Sequence, residues 1–593
     1  MIGFNVNGGS FVIPFDIKSK DQYVQCVADI GKCKISIAPI SDETAKVVID
    51  GKEITLNTDF EIELREDGYG YVTNSVEIYA EDGTLLRKFT LATLKPAPNV
   101  EALYGAKNRP QFHYTAPYGY LNDPNGLVYD ATKKEYHFFY QSNPYKSCSG
   151  PKHWGHAVSK DLVSFTECKT ALYPDDSGAM WSGTAIIDYN NTAKLYDDTI
   201  PPEARILLVY YAYSDIGANA GLAYTPDGGK TWIKAENGRK FKFYNGWPGH
   251  IDPKVIWHED TKKWVMFCAT GDTFTSEDLW NWYLSGSDIF YECPDIYKIQ
   301  TSGTDEVKFV RTYGGTTYKV GDLKVDEDGN VSFVSETDHI PYNGNSLNRN
   351  DEDMEQLLRT YGWYSGKVGS VYATQHYAYA PDDRIISVSW LIENGLDKTL
   401  TWAGTMSVAV EQKLIKKSNG EYLLLSYPVR EIESLHGDVL FSAENVGFSP
   451  NQNPIANVSS TFADIDGTFV LDENVYELGF KLRKGSDDGD ICIKYDVKNQ
   501  LLVLDRSHSK NEKHNCIRTM KMELPQNREI SLRVLLDSVV IEAFGNNGEA
   551  YISAVFERED DGNKMELYVL GGNAVVKKLK IYQMKSIWIK DKV

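Results

Sequence analysis

Among the 83 acidic residues of this 593-residue chain, three stand in aromatic, glycine-rich surroundings. Asp123 lies in Tyr118-Gly-Tyr-Leu-Asn-Asp-Pro-Asn-Gly, Asp252 in Trp247-Pro-Gly-His-Ile-Asp-Pro-Lys-Val, and Glu292 in Phe290-Tyr-Glu-Cys-Pro-Asp-Ile-Tyr. As a set they suit sugar cleavage. Two carboxylates can divide the work of nucleophile and acid/base around an oxocarbenium-like transition state, while aromatic faces stack on the sugar rings. Taken alone, the first segment also reads as a type I turn, because Asp-Pro-Asn-Gly supplies the residues such a turn favours. Other nucleophilic chemistry is poorly supported: no G-x-S-x-G occurs, and Cys293 lacks an evident His partner. His153 and His156 have no third ligand in view, so they read as structural and no metal is expected. No cofactor is expected either, since no G-x-G-x-x-G follows a strand and no Walker-type loop is present.

Further segments extend the pattern in order along the chain. They are Asn122-Asp-Pro-Asn-Gly, Tyr140-Gln-Ser-Asn-Pro, His153-Trp-Gly-His-Ala-Val-Ser-Lys-Asp-Leu, Trp181-Ser-Gly-Thr-Ala, Asp252-Pro-Lys-Val and Glu292-Cys-Pro-Asp. In order and spacing they resemble glycoside hydrolase family 32, which holds invertases, inulinases, levanases and related fructosyltransferases. The later run Val539-Val-Ile-Glu-Ala-Phe-Gly-Asn-Asn-Gly-Glu-Ala resembles that family's C-terminal sandwich.

The resemblance implies a five-bladed β-propeller with its active site at the mouth of the central funnel. Asp123 would be the nucleophile that forms a fructosyl-enzyme intermediate, Glu292 the acid/base, and Asp252 the group that holds the fructosyl hydroxyls. Asn122, Gln141, Trp181 and Ser182 would line the fructose pocket, with Trp154 closing one wall. Such chemistry asks Asp123 to stay ionised and Glu292 to carry a proton near neutral pH. Retention of anomeric configuration implies carboxyl groups about 5–5.5 Å apart. The implied activity is a retaining β-fructofuranosidase acting on fructans such as inulin or levan, on fructo-oligosaccharides, and with sucrose as a further candidate. Two alternatives stay open: a fructosyltransferase on the same scaffold, and a carbohydrate-binding propeller that no longer catalyses.

Five positions depart from the family's pattern close to the substrate. Tyr120-Leu121 stands for its usual Trp-Met, Ile251 for Arg, Ser370 for Asp, and Ala403 for Arg. Losing an Arg and an Asp together reads either as a salt bridge removed as a unit or as a reshaped sugar site.

The elements that must position these residues are short β-type runs bounded by Gly, Asn, Asp and Lys, so the chain is expected to be all-β. Two hairpins are legible, Leu127–Asp130 into Glu135–Gln141 and Lys254–Trp257 into Trp264–Ala269. Repeated antiparallel units from 105 to 425 fit the five-bladed propeller catalytic domain. The segment 1–97 reads as an N-terminal β-sandwich-like accessory domain ending in the Pro-bearing linker Leu94-Lys-Pro-Ala-Pro-Asn, and 435–593 as a C-terminal β-sandwich.

With 62 basic against 83 acidic residues, the net charge is −21, and no basic block occurs. That argues against nucleic acid and anionic membranes as partners and favours a neutral carbohydrate. No apolar run is long enough for a membrane span. The first residues lack a secretory signal, so the protein is cytoplasmic if the chain is complete and secreted or cell-surface if a signal was removed. Eight cysteines form no dense disulfide scaffold, and Cys26 and Cys33 either pair or remain free buried thiols.

Overall fold

The computed structural model describes residues 2–588 except 8, 12–20, 27–31, 40–45, 57–58, 64–70, 95–103, 107, 145–146, 176, 215–216, 236–237, 247, 250, 290, 347–370, 392–401, 486–489, 508–516 and 557–561. Ser370, the linker after Leu94, and the side chains of Cys26 and Cys33 lie outside the described residues.

Strands dominate, and among the described residues those between Gly119 and Pro428, Asn345–Ser346 apart, form five sheets that run outward from an inner strand, their neighbours antiparallel except for Trp402–Ala403 beside Gly119–Tyr120 and Lys242–Tyr244 beside Asn281–Ser287. The inner strands of blades one to five are Gly119–Asp130, Ala179–Ile187, Lys254–His258, Asp295–Gln300 and Val371–His376. Both legible hairpins are present: Asp130 pairs Glu135 in the first blade, and His258 pairs Lys263 in the third. The inner strands of blades one and two are buried along nearly their whole length because both their faces are covered by neighbouring blades. Buried clusters cement adjacent blades. Trp154, Phe139 and Ala185 join the first to the second, Ile251, Trp264 and Leu222 the second to the third, and Phe267 with Ile296 the third to the fourth.

The ring closes through a late piece of chain. Trp402–Ala403 runs parallel to Gly119–Tyr120 and so completes the first blade. Gly404 follows at φ 86°, where a Cβ would stand 1.8 Å from the Leu121 carbonyl oxygen, so only glycine lets the closing strand approach. Asp-Pro-Asn-Gly is not a turn here. It continues the inner strand of blade one, with Pro124 opposite Tyr140 and Asn125 opposite Phe139, between two register shifts. Bulges spend the sequence's turn propensity on bending a strand, which re-aims side chains without breaking the sheet.

Behind the propeller lie two six-stranded sheets. One contains His436–Phe448, Ala574–Met584, Ala463–Leu471, Glu529–Leu536, Val540–Gly545 and Ala550–Val555 in that order. The other begins with Asn345–Ser346, a strand donated from between the fourth and fifth blades, which pairs with Ile517–Lys521. Their inner faces share one apolar core around Ile465, Phe480, Leu504 and Val534. The N-terminal region holds a three-stranded and a six-stranded sheet, the latter including the hairpin Lys46–Ile49/Lys52–Ile54.

The propeller and the C-terminal sandwich are joined by buried charge. Asp537 accepts the backbone N–H groups of Gln111, Phe112 and His113 at 2.8–3.1 Å. The His113 ring lies between Asp537 and Glu542 at 2.9 and 3.1 Å, with both partners fully buried. Glu542 also accepts Val408 N–H and the Tyr551 hydroxyl. Burial disfavours the imidazolium, but the bonds to Asp537 and Glu542 outweigh it and push the ring up to about 9. The ring is therefore charged at neutral pH. Its proton stabilises the fold fully below the ordinary value near 6.5, and that contribution is lost as pH rises through about 9. His113→Leu should lower stability by about 3–5 kcal/mol by leaving two buried carboxylates without their cation. In urea titrations followed by tryptophan fluorescence, the gap between wild type and variant should narrow between pH 7 and 10; a constant gap would show that the ring is not charged.

Candidate active site

The three acids meet at one end of the channel because each sits at the N-terminal end of an inner strand. Asp123 is in that of blade one, Asp252 two residues before that of blade three, and Glu292 three residues before that of blade four. The register shift between Trp181 and Gly183 in blade two, and that between Tyr372 and Gln375 in blade five, fall at the same level. Thus all five blades present irregular backbone to the mouth. Two backbone links hold the acid-bearing segments together: Ala269 N–H donates to the Ile251 carbonyl at 2.8 Å, and Tyr291 N–H donates to the Ala269 carbonyl at 2.7 Å. Gly314 does the same for the neighbouring blade, donating to the Glu292 carbonyl at 3.0 Å while accepting Ala373 N–H at 2.8 Å.

The approach strains the chain. Asp252, Cys293 and Ala373 adopt left-handed backbone with φ of 31°, 47° and 51°. Non-glycine residues there cost about 1–3 kcal/mol each and cluster where geometry serves function.

The Cys293 thiol fills the space between two of the acids, 3.6 Å from Asp123 Oδ2 and 3.9 Å from Asp252 Oδ2. Burial and the carboxylates around it push the thiol well above its ordinary value, so it remains S–H and serves as a weak donor rather than a nucleophile. Ser182 Oγ donates to Asp123 Oδ2 at 3.0 Å. Burial raises the Asp123 carboxyl above its ordinary value; Lys152 opposes this, Asp252 adds to it, and bonds from Asn122 and Ser182 oppose it. The Asp123 carboxylate therefore depends on its neighbours for its charge. Glu292 is half-buried, and its Oε2 accepts the Tyr372 hydroxyl at 2.5 Å.

Asn122, Gln141 and Ser182 form a continuous buried polar set beside Asp123: Asn122 Nδ2 donates to Gln141 Oε1 at 2.8 Å, and Gln141 Nε2 donates to Ser182 Oγ. Trp181 is half-buried and, with Tyr120, Trp390 and Tyr372, forms an aromatic margin. Trp154 departs from expectation. It is fully buried among Phe139, Leu172 and Met180, so it cannot form a wall in contact with ligand. Its indole N–H donates to the Trp181 carbonyl at 2.7 Å, which makes it a prop beneath the site. His153 and His156 are turned to separate partners, the Pro151 carbonyl and His137, rather than to a shared centre.

Three residues of the site escaped the sequence reading. Cys293 has no His partner that would mark it in the sequence, and its place next to Glu292 is the one signal of its proximity. Tyr372 lies in the stretch Ser370-Val-Tyr-Ala, which drew attention for Ser370 alone. Lys152 gave no signal, because nothing in Pro151-Lys-His marks a lysine that folds inward. Ile251 packs in the cluster between blades two and three, and Ala403 lies in the closing strand opposite Tyr120.

Below the acids, Lys254 Nζ meets Asp295 Oδ1 at 2.7 Å, and His376 gives Asp295 both its backbone N–H at 2.8 Å and its ring at 3.0 Å. Burial works against the charged carboxylate, but His376 and Lys254 prevail and hold Asp295 down to about 2. A cavity of about 1440 Å³ lies at the far end of the channel, bordered by Lys254, Trp257 and His376, and none of the three acids lines it.

Comparison with known proteins agrees with this architecture. Residues 113–428 match the model for the glycosyl hydrolases family 32 N-terminal domain, and 431–583 match that for the family's C terminal. A levanase of Bacillus subtilis (strain 168) is 33% identical over 512 residues, covering 82% of this chain and 72% of the levanase. An extracellular exo-inulinase of Meyerozyma guilliermondii is 28% identical over 76% of this chain and 90% of its own. The structure of beta-fructofuranosidase from Schwanniomyces occidentalis complexed with fructosyl-erythritol superposes with a TM-score of 0.68 at 22% identity, over 83% of this chain and 100% of that one. At that identity the likeness speaks to the fold, a five-bladed propeller followed by a β-sandwich.

Two outcomes follow from the geometry. Iodoacetamide at pH 8 should label half-buried Cys148 and leave Cys293 unmodified in the native protein, read by peptide mass spectrometry; rapid labelling of Cys293 would contradict its protonated, enclosed state. Ile251→Arg should lower the unfolding free energy read from urea titration by about 2 kcal/mol or more, through burial of an unpaired charge, without raising sucrose cleavage.

Proposed function

The chain belongs to glycoside hydrolase family 32, and from that premise we propose that it is a β-fructofuranosidase that releases fructose from fructans, fructo-oligosaccharides and sucrose by double displacement. One observation carries the assignment of roles: Asp123 and Asp252 converge on the Cys293 thiol, directly beside Glu292. A site that only bound sugar would have no reason to desolvate acids so closely.

In the first step an Asp123 carboxylate oxygen attacks the anomeric carbon of the terminal fructosyl unit. The bond to the leaving oxygen breaks, and Glu292 gives that oxygen its proton. In the second step Glu292 takes a proton from water, the hydroxide oxygen bonds the anomeric carbon, and Asp123 leaves as a carboxylate. Fructose of retained configuration departs. Asp252 holds ring hydroxyls, and Asn122, Gln141 and Ser182 support Asp123 and the sugar. The Tyr372 hydroxyl donates to Glu292 Oε2 and holds that carboxyl in place. Catalysis is assigned to the propeller, 105–425. The sandwich 435–593 supports its base, and the N-terminal unit 1–97 serves either to hold polymer or as structure.

Product chromatography with sucrose, inulin and levan tests the reading. Free fructose as the early product is expected; a ladder of transfer products would favour fructosyl transfer, and no product from any substrate would favour the binding-only alternative. Asp123→Asn should lower kcat by about 10,000-fold or more, and Glu292→Gln by about 100- to 10,000-fold, with circular dichroism unchanged. Substantial activity in either variant would remove that residue from its role.

A further inference from the structure

Lysine is rarely buried, yet Lys152 is only 5% exposed, and its ammonium bonds a neutral amide: Nζ donates to Asn122 Oδ1 at 2.8 Å. The ammonium also lies 5.1 Å from the centre of the Tyr120 ring and 6.0 Å from that of Trp181. Burying a cation against an amide is costly unless the charge acts on something else.

What it acts on is visible in the bonds downstream. An ammonium has donors and no acceptor, so Asn122 must turn its oxygen to Lys152 and its nitrogen to Gln141. Gln141 must then turn its oxygen to Asn122 and its nitrogen to Ser182. Ser182, now an acceptor from Gln141, sends its own proton to Asp123 Oδ2 at 3.0 Å. Amides and hydroxyls are ambivalent by themselves, and a chain of them can run either way. The donor-only ammonium at the head and the acceptor-only carboxylate at the tail fix the direction from both ends. Run in reverse, the chain would set a Ser182 lone pair against the carboxylate.

We propose that Lys152 is a positioning residue of the hydrolytic site: it fixes the direction of the chain Lys152–Asn122–Gln141–Ser182–Asp123 and thereby holds the Ser182 proton on the nucleophilic carboxylate. The inference rests on the reading of Asp123 as nucleophile. It also accounts for a cation in a site where Ile251 stands for the arginine of the family pattern.

Charge and direction reinforce each other. The groups facing Lys152 are Asp123 and Tyr120 from blade one and Trp181 from blade two, with Asp252 and Cys293 behind Asp123. Burial pulls the ammonium down to about 8, and Asp123 counters part of that fall. Above that pH the amine becomes neutral and can accept a bond, so the head no longer enforces the direction, and Asp123 loses the charge that favours its ionised form. Activity should therefore fall on the alkaline side as Lys152 titrates.

The test is the pH profile of kcat/KM for wild type and Lys152→Met on whichever fructan the protein cleaves. The variant should lose about 10- to 100-fold in kcat with a smaller change in KM. Its acid limb should move to higher pH, because Asp123 loses the cation that favours its charge. A variant whose acid limb stays where the wild type has it overturns the proposal. If Lys152→Met fails to fold, trace acetylation of lysines across pH, read at the Lys152 peptide by mass spectrometry, tests the same coupling. In wild type the labelling transition should lie near pH 8, and in Asp123→Asn it should move to lower pH. A transition that does not move between the two overturns the proposal. This arm requires no turnover, so a protein inactive on every fructan would refute the functional reading without obscuring the result for Lys152.

Discussion

Asp295 is the constraint on which the site depends. A carboxylate with no exposure needs its charge met from inside the fold, and here the partners come from neighbouring blades: Lys254 from the third and His376 from the fifth, with Asp295 itself heading the fourth. Three inner strands are thereby drawn to one radius. The acids that precede two of those strands, Asp252 and Glu292, inherit their separation from this anchor, because two or three residues of stiff backbone leave little room for drift. The short motifs Asp252-Pro-Lys and Glu292-Cys-Pro-Asp thus each contain an acid of the candidate site and half of the joint that locates it.

The mouth of the funnel combines three destabilising features that the surrounding sheet must support. Asp123 is desolvated, Cys293 is enclosed as a thiol between acids, and the backbone turns left-handed at Asp252, Cys293 and Ala373. Apolar clusters between neighbouring blades and the buried His113 link to the sandwich offset these costs. Tension at the centre and cohesion at the periphery are two sides of one arrangement, since a looser ring would relax by letting water reach the acids.

Much of this was legible in the sequence, for identifiable reasons. The hairpins at Asp130/Glu135 and His258/Lys263 were readable because alternating apolar runs flank polar turns. Asp123, Asp252 and Glu292 were readable because acids beside Trp, Tyr, Pro and Gly are few. The local rule failed at Asp-Pro-Asn-Gly, where tertiary pairing with Tyr140 and Phe139 overrode turn propensity. It failed at Trp154 because an aromatic within a site motif can serve the layer beneath. Lys152 was invisible because its burial depends on partners contributed by another strand, Asn122 and Asp123, which no window around residue 152 contains. The strand Asn345–Ser346, added to the sandwich, was equally unreadable, since two residues carry no periodicity.

That small strand, together with the closing pair Trp402–Ala403, has a consequence for how the protein is made. A ribosome delivers the inner strand of blade one some 280 residues before its closing partner, and Asn345–Ser346 roughly 170 residues before Ile517–Lys521. At about 5–20 residues per second, the first wait lasts tens of seconds and the second about ten seconds or longer. During that time a nascent propeller is an open ring with unpaired strand edges. Neither edge is covered before its late partner has been synthesised.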